Sequence, residues 1–158
     1  MILFVYGSLH PDRLAELLGQ KWSKKPQWGI LPGYRRIYAG ESKRWGNGGV
    51  AGLERCASRS VRGLLYNLSP QELVCLDKWE TDVYERRPIN IIVSKDGRQR
   101  VRSDAYFFTC PSRPYHPPHS SYARQVEILT SVFKQLYSLD ELADRDSSQD
   151  TVRDHRRK

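Results

Sequence analysis

The sequence predicts one α+β domain: a small, largely antiparallel sheet or barrel with a few helices packed against it. Three observations lead there. Short apolar runs punctuated by Gly, Pro and Asn recur through the first 110 residues, as strands joined by turns do. Two segments instead repeat their apolar residues at helical spacing, one near residue 70 and one after residue 120. No internal repeat or low-complexity stretch divides the chain.

The elements follow in order. Residues 2–6, ILFVY, form a buried-strand candidate. Pro11 suits the first position of a helix, Leu14, Leu17 and Leu18 share one face, and Gly19 suits its exit. Residues 29–39 read as a strand interrupted at Pro32-Gly33, and 41–49 as a polar, Gly-rich loop. Residues 50–54 and 60–68 read as two short strands. Ser69-Pro70-Gln71-Glu72 carries a helix start: a serine cap, a proline at the first position and a glutamate placed to close the box. That helix is expected to run to about Glu80. Residues 84–94 and 101–109 are strands around a hairpin turn at Lys95-Asp96-Gly97. A loop with four prolines, 110–119, precedes the clearest helix, in which Tyr122, Val126, Leu129, Phe133 and Leu136 share a face. Past Leu142 almost nothing is apolar. The expectation is therefore a domain over 1–142 and a polar, flexible tail over 143–158.

Composition narrows the function classes. With 158 residues, 39% hydrophobic and 28% charged, the chain suits one globular domain with a real core. No stretch approaches the roughly 20 apolar residues of a membrane span. The opening apolar run is too short for a signal peptide and has no basic residues before it, so a cytoplasmic protein is expected. Cys56, Cys75 and Cys110 are odd in number and widely spaced, which suggests neither a disulfide frame nor a zinc site. His116-Pro117-Pro118-His119 lacks a third ligand nearby. No metal or organic cofactor is expected. Residues 1–139 hold 21 basic and 12 acidic side chains, a surplus of +9. Such a surface attracts nucleic acid in some proteins. Here the basic doublets, Lys24-Lys25, Arg35-Arg36, Lys43-Arg44 and Arg86-Arg87, are scattered, which reads as a solvated basic surface.

The most informative residue is Glu80. At 100° per residue it projects between Leu73 and Leu76, on the face of its helix that should be buried. A buried carboxylate costs several kcal/mol unless paired or neutralised, on the order of 3–5 when a partner is missing. Desolvation raises its pKa, which suits a group that takes and returns a proton near pH 7. The plainer alternative is a last-turn glutamate that swings to water or pairs with Arg86 or Arg87. Tyr84, four residues on, is able to point back over the carboxylate, or to be an ordinary strand tyrosine. Tyr122 opens the last helix, where a ring commonly caps a core. The junction Tyr6-Gly7-Ser8-Leu9 is either a plain glycine turn ending a strand or a turn that presents backbone N–H groups to a ligand.

Taken together, Leu3-Phe4-Val5-Tyr6-Gly7-Ser8-Leu9, Gly48-Gly49-Val50-Ala51, Val61-Arg62-Gly63-Leu64-Leu65-Tyr66-Asn67-Leu68, Leu76-Asp77-Lys78-Trp79-Glu80, Tyr84, Ala105-Tyr106-Phe107 and Ser121-Tyr122 resemble the γ-glutamylcyclotransferase superfamily. The similarity spans about residues 2–142. The resemblance implies a small mixed, largely antiparallel β-barrel with flanking helices and a cavity. It implies conversion of a γ-glutamyl amide to 5-oxoproline with release of the amine, and no cofactor. Glu80 would be the general acid/base. Tyr6, Gly7, Ser8 and Leu9 would bind the γ-glutamyl moiety, and Tyr84 and Tyr122 would line the pocket. Leu9 follows Ser8 directly, the shorter turn of the branch acting on γ-glutamylamines. The long last helix with Tyr122 resembles instead the branch acting on γ-glutamyl amino acids. The expected partner is a small γ-glutamyl substrate, and the expected form is a monomer or homodimer. Two rival readings are a non-catalytic small-molecule binding module of the same fold and a basic RNA-associated protein.

Overall fold

In a computed structural model, five strands close into a barrel and three helices lie against it. The structure describes residues 1–19 and 25–156, with side chains as far as Asp140 apart from that of residue 81. Lys24 and the side chains of the expected polar tail, 143–158, lie outside the described residues. The strands are β1 (Ile2–Val5), β2 (Gln27–Ser42), β3 (Gly48–Asn67), β4 (Tyr84–Ile92) and β5 (Arg100–Phe108). The helices are α1 (Pro11–Leu18), α2 (Pro70–Glu80) and α3 (Ser120–Arg156). The order around the barrel is β1-β3-β2-β4-β5. All neighbours are antiparallel except β1 and β5, which close the ring in parallel through Leu3↔Asp104 and Phe4↔Ala105. The barrel is therefore mixed and largely antiparallel, as expected. Among the described residues no helix is long and apolar enough to cross a membrane.

Strand β1 shows why an unbroken apolar run was needed. Side chains alternate faces along a strand. Phe4 and Tyr6 join one core cluster with Leu31, Leu65, Ile91 and Phe107, all from strands. Leu3 and Val5 join the other with Leu14 of α1 and Leu73 and Leu76 of α2. Both faces of β1 are buried, so neither set of positions is polar. On α3, Tyr122, Val126, Leu129 and Phe133 are all buried, as their spacing predicts.

The local start and stop signals act as written. The Ser69 hydroxyl accepts from the Glu72 amide at 3.2 Å, and the Glu72 carboxylate accepts from the Ser69 amide at 2.9 Å, closing the capping box. His10 caps α1 through Nδ1, and Gly19 ends it in the left-handed region with φ of 65°. The hairpin turn places Gly97 at φ 74°.

Two expectations change. The strands expected at 50–54 and 60–68 are one long strand, β3. It pairs with β2 on both sides of a bulge: Tyr34↔Arg55 follows Pro32↔Ser60, so residues 56–59 have no partner on β2. The polar residues of that bulge read as a loop because they are exposed, yet the backbone stays extended. The loop expected at 41–49 is shorter, since β2 runs to Ser42 and a 3₁₀ turn covers Lys43–Trp45.

Candidate active site

A cavity of about 260 Å³ lies among the turn after β1, the end of α2 and the starts of β4 and α3. All seven residues singled out from the sequence line it: Tyr6, Gly7, Ser8, Leu9, Glu80, Tyr84 and Tyr122. They come from four places in the chain. The turn after β1 supplies the first four, the last residue of α2 supplies Glu80, the first of β4 supplies Tyr84, and the first turn of α3 supplies Tyr122.

Glu80 is carried inward by the capped helix that ends on it. Among the described residues no side chain or backbone donor pairs with its carboxylate. The two arginines that offered a plainer explanation are occupied elsewhere. Arg86 forks onto Asp77 at 2.7 and 2.9 Å and reaches Asp104 at 2.9 Å, and Arg87 pairs with Glu85. Burial pushes the Glu80 carboxyl up to about 7, Arg44 pulls it down, and Asp77 adds to the rise. The group is thus able to exchange a proton near neutrality.

The turn Tyr6-Gly7-Ser8-Leu9 is held by its carbonyls. Arg36 donates from Nε to the Tyr6 carbonyl at 2.7 Å, and the Tyr66 hydroxyl donates to that of Leu9 at 3.1 Å. Between these anchors, none of the described residues accepts a hydrogen bond from the amides of Gly7, Ser8 or Leu9. A turn with fixed carbonyls and unused N–H groups in a cavity is a ready anion receptor. His10 supports it from behind, with Nε2 2.5 Å from Gln125 Oε1 of α3.

Three tyrosines frame the space. The Tyr6 hydroxyl donates to the Tyr106 carbonyl at 2.5 Å, and that of Tyr84 donates to the Ala51 carbonyl at 2.6 Å. The Tyr122 hydroxyl accepts from the Ala51 amide at 3.0 Å, and among the described residues nothing accepts its own proton. Ala51 is therefore clamped on both backbone groups by two pocket tyrosines. Burial is the main cause that raises all three phenols above their ordinary value, with Glu80 adding to each, so they remain protonated donors at neutral pH. The Gly48-Gly49 pair has a packing reason. A side chain at Gly49 would begin 2.0 Å from the His116 carbonyl, because the proline-rich loop is pressed against β3 there.

Among the described residues no group of three or more His, Cys, Asp or Glu side chains is gathered for a metal. His116 lies 4.0 Å from Glu41, and His119 bonds Ser121 at 2.7 Å.

Against protein-family profiles, residues 3–124 match the family described as gamma-glutamyl cyclotransferase, AIG2-like. The chain belongs to that family. The family match ends just after Tyr122, so it takes in every residue of the cavity described so far. Solved structures share the fold. One titled gamma-glutamyl cyclotransferase superposes with a TM-score of 0.73 at 18% identity, covering 90% of this chain and 85% of that one. An uncharacterised human protein gives 0.72 at 19% identity, over 82% and 78%. A yeast gamma-glutamyl cyclotransferase specific to glutathione gives 0.56 at 12% identity, over 87% and 96%. At such identities these likenesses show the fold alone. Comparison with curated proteins finds no match.

Family motifs alone miss the cations of the site. Arg44 stacks 3.6 Å over the Trp79 ring and donates to the Trp79 carbonyl at 3.2 Å. Arg13 of α1, outside the cavity lining itself, lies 5.1 Å from Trp79 and 5.4 Å from Trp45, two rings that do line it. Arg113, from the proline-rich loop, also lines the cavity. In sequence these residues look like the other scattered basic residues, and no local pattern marks them.

Proposed function

We propose that the protein is a γ-glutamyl cyclotransferase that needs no cofactor. The observation that carries this reading is an unpaired carboxylate, Glu80, in the same cavity as the unused amides of Gly7, Ser8 and Leu9.

The substrate's own α-amine attacks its γ-carbonyl carbon. A carbon–nitrogen bond forms, closing a five-membered ring, and the nucleophile is favoured because it is already tethered. Negative charge moves onto the carbonyl oxygen. Fixed N–H donors of the turn stabilise it without having to reorganise. Glu80, ionised before attack, takes the proton that the amine must lose. It then returns that proton to the leaving nitrogen as the original amide bond breaks. One carboxylate with a pKa of about 7 suits both transfers. The products are 5-oxoproline and a free amine, and together they contain the same atoms as the substrate. Tyr84 and Tyr122 shape the pocket, and the free Tyr122 proton is a further donor for the bound substrate.

The test is incubation with a panel of γ-glutamyl compounds, with 5-oxoproline followed by chromatography. Turnover by the unaltered protein, lost in Glu80→Gln, is the expected result. Ligand-induced thermal stabilisation with no product would make the protein a binding module instead.

A further inference from the structure

Glu80 lines the cavity without a bond of its own. Among the described residues nothing donates to its carboxylate. Its position is therefore set by the backbone that carries it, the end of α2.

That end is fastened three residues earlier. Residues i and i+3 are neighbours on one side of a helix, and Asp77 stands in that relation to Glu80. Arg86 of β4 forks onto both Asp77 oxygens, Nε at 2.7 Å and Nη2 at 2.9 Å, while its Nη1 reaches Asp104 of β5 at 2.9 Å. The Tyr106 hydroxyl of β5 donates to Asp77 Oδ1 at 2.7 Å. Arg86 and Tyr106 face each other in the β4–β5 register. A guanidinium that bonds both oxygens of one carboxylate fixes its plane as well as its distance.

Other ties flank Glu80. Arg44 adds one bond to the Trp79 carbonyl, at 3.2 Å. Past Glu80, Thr109 donates to the Asp82 carbonyl at 2.6 Å and, through its amide, to that of Val83 at 3.0 Å. Tyr106 joins the Asp77 tether to the cavity wall. It is buried, lines the cavity, packs edge-on to Tyr84 at 6.3 Å, and accepts on its carbonyl from the Tyr6 hydroxyl at 2.5 Å. The residue that braces Tyr6 thus also braces the helix end that carries Glu80.

We infer that Arg86 is a positioning residue: through its fork on Asp77 it holds the last turn of α2 so that the Glu80 carboxylate stays in the cavity. Arg86 does not line the cavity, so it acts only through Glu80, and its bearing on turnover rests on the cyclotransfer reading.

The test is a double-mutant melting cycle at pH 8 and pH 4.5, with Glu80→Gln as the probe. An ionised carboxylate held in the cavity lowers stability at pH 8, and Glu80→Gln removes it. In the unaltered background the substitution is expected to raise the melting temperature at pH 8 and not at pH 4.5. In Arg86→Met the helix end is released, the carboxylate reaches water, and that gain falls by more than about half. Electrostatics alone predicts the reverse. Burial acts to raise the Asp77 carboxyl, yet bonds from Arg86 and Tyr106 outweigh it and hold the group below its ordinary value, so it is ionised throughout this range. Burial is the main cause that raises Glu80, Arg44 lowers it and Asp77 adds to the rise. Burial keeps Tyr6, Tyr84, Tyr106 and Tyr122 protonated. An Asp77 stripped of Arg86 would therefore push Glu80 further up and enlarge the gain. A gain that keeps more than about half its size in Arg86→Met, or that is absent in the unaltered background, overturns the assignment. If Arg86→Met does not fold, Arg86→Lys, which keeps the charge and loses the fork, is read by the same criterion.

Turnover is the second readout, on whichever γ-glutamyl compound of the panel is converted fastest. Arg86→Met is expected to lower kcat about ten- to a hundredfold with KM little changed, the cost of a catalytic group displaced by about an ångström. An unchanged kcat overturns the positioning role while cyclotransfer stands. If the unaltered protein makes no 5-oxoproline, the cyclotransfer reading fails and the melting cycle alone decides whether Arg86 holds Glu80.

Discussion

The hydroxyl of Tyr122 stands 2.9 Å from the point where a side chain on Gly7 would begin. The ring is buried, with Trp45 at 5.1 Å and Tyr38 at 6.3 Å, each edge-on to it. It has little room to withdraw. A methyl at position 7 therefore breaks the Tyr122–Ala51 hydrogen bond or moves the turn. Gly7→Ala is expected to lower stability by about 1–3 kcal/mol and to reduce turnover. In Gly7→Ala with Tyr122→Phe the opposing oxygen is gone, so denaturant melts of the cycle should show the two changes costing less together than separately.

Glu80→Gln keeps the shape of the side chain and removes its proton chemistry. Turnover should fall by about 10²–10⁴-fold, the usual share of general acid/base catalysis. Single-turnover assays on saturating substrate check this, with circular dichroism confirming the fold.

The same substitution carries a stability prediction with a definite sign. The Glu80 carboxyl titrates near 4.5 when the chain is unfolded and near 7 when folded. Between these values the folded state holds a proton that the unfolded state lacks, so wild-type stability falls as pH rises through that window. Above pH 7 the ionised group costs about 3 kcal/mol. Glu80→Gln has no such term, so it should be the more stable protein at pH 8 by about that amount, and the advantage should vanish near pH 4. Melting curves at the two pH values decide it.

Arg44, in the cavity lining, pulls the Glu80 pKa down. Arg44→Met keeps some packing over Trp79 and removes the charge. The rising limb of kcat/KM against pH, which reports ionisation of the free enzyme's base, should move to higher pH. An unmoved limb would show that the titrating group is not Glu80.

Arg36 holds the turn through the Tyr6 carbonyl, 30 residues away in sequence. Arg36→Met frees that carbonyl and loosens the amide donors. The expected result is a lower kcat with the pH limb of Glu80 little moved, because the proton-transfer group is untouched while stabilisation of the oxyanion is weakened.

Local chemistry was legible where it acts locally. Ser69 and Glu72 are three residues apart and close their box wherever the helix goes. Glu80 follows from them: a helix that starts at Pro70 and buries Leu73 and Leu76 turns position 80 toward the same side. The apolar run of β1 and the stripe on α3 were equally readable, because burial on one or both faces leaves a period. The break of β3 into two expected strands shows the limit. An exposed bulge is polar like a loop, and only its pairing with β2 shows that the strand continues.

The sequence by itself determined the helices, their caps, most of the strands and the side of its helix on which one carboxylate lies, since each depends on residues a few positions apart. Only the tertiary structure decided which cations serve the cavity. Arg36, Arg44, Arg86 and Arg113 are chemically alike and equally undistinguished in the chain. One fastens a turn, one stacks over an indole, one bridges a pair of aspartates, and one lies over a phenylalanine ring in the cavity lining. The physical reason is that a long, flexible cation takes its role from the acceptor it meets, and in this barrel those acceptors come from distant strands and loops.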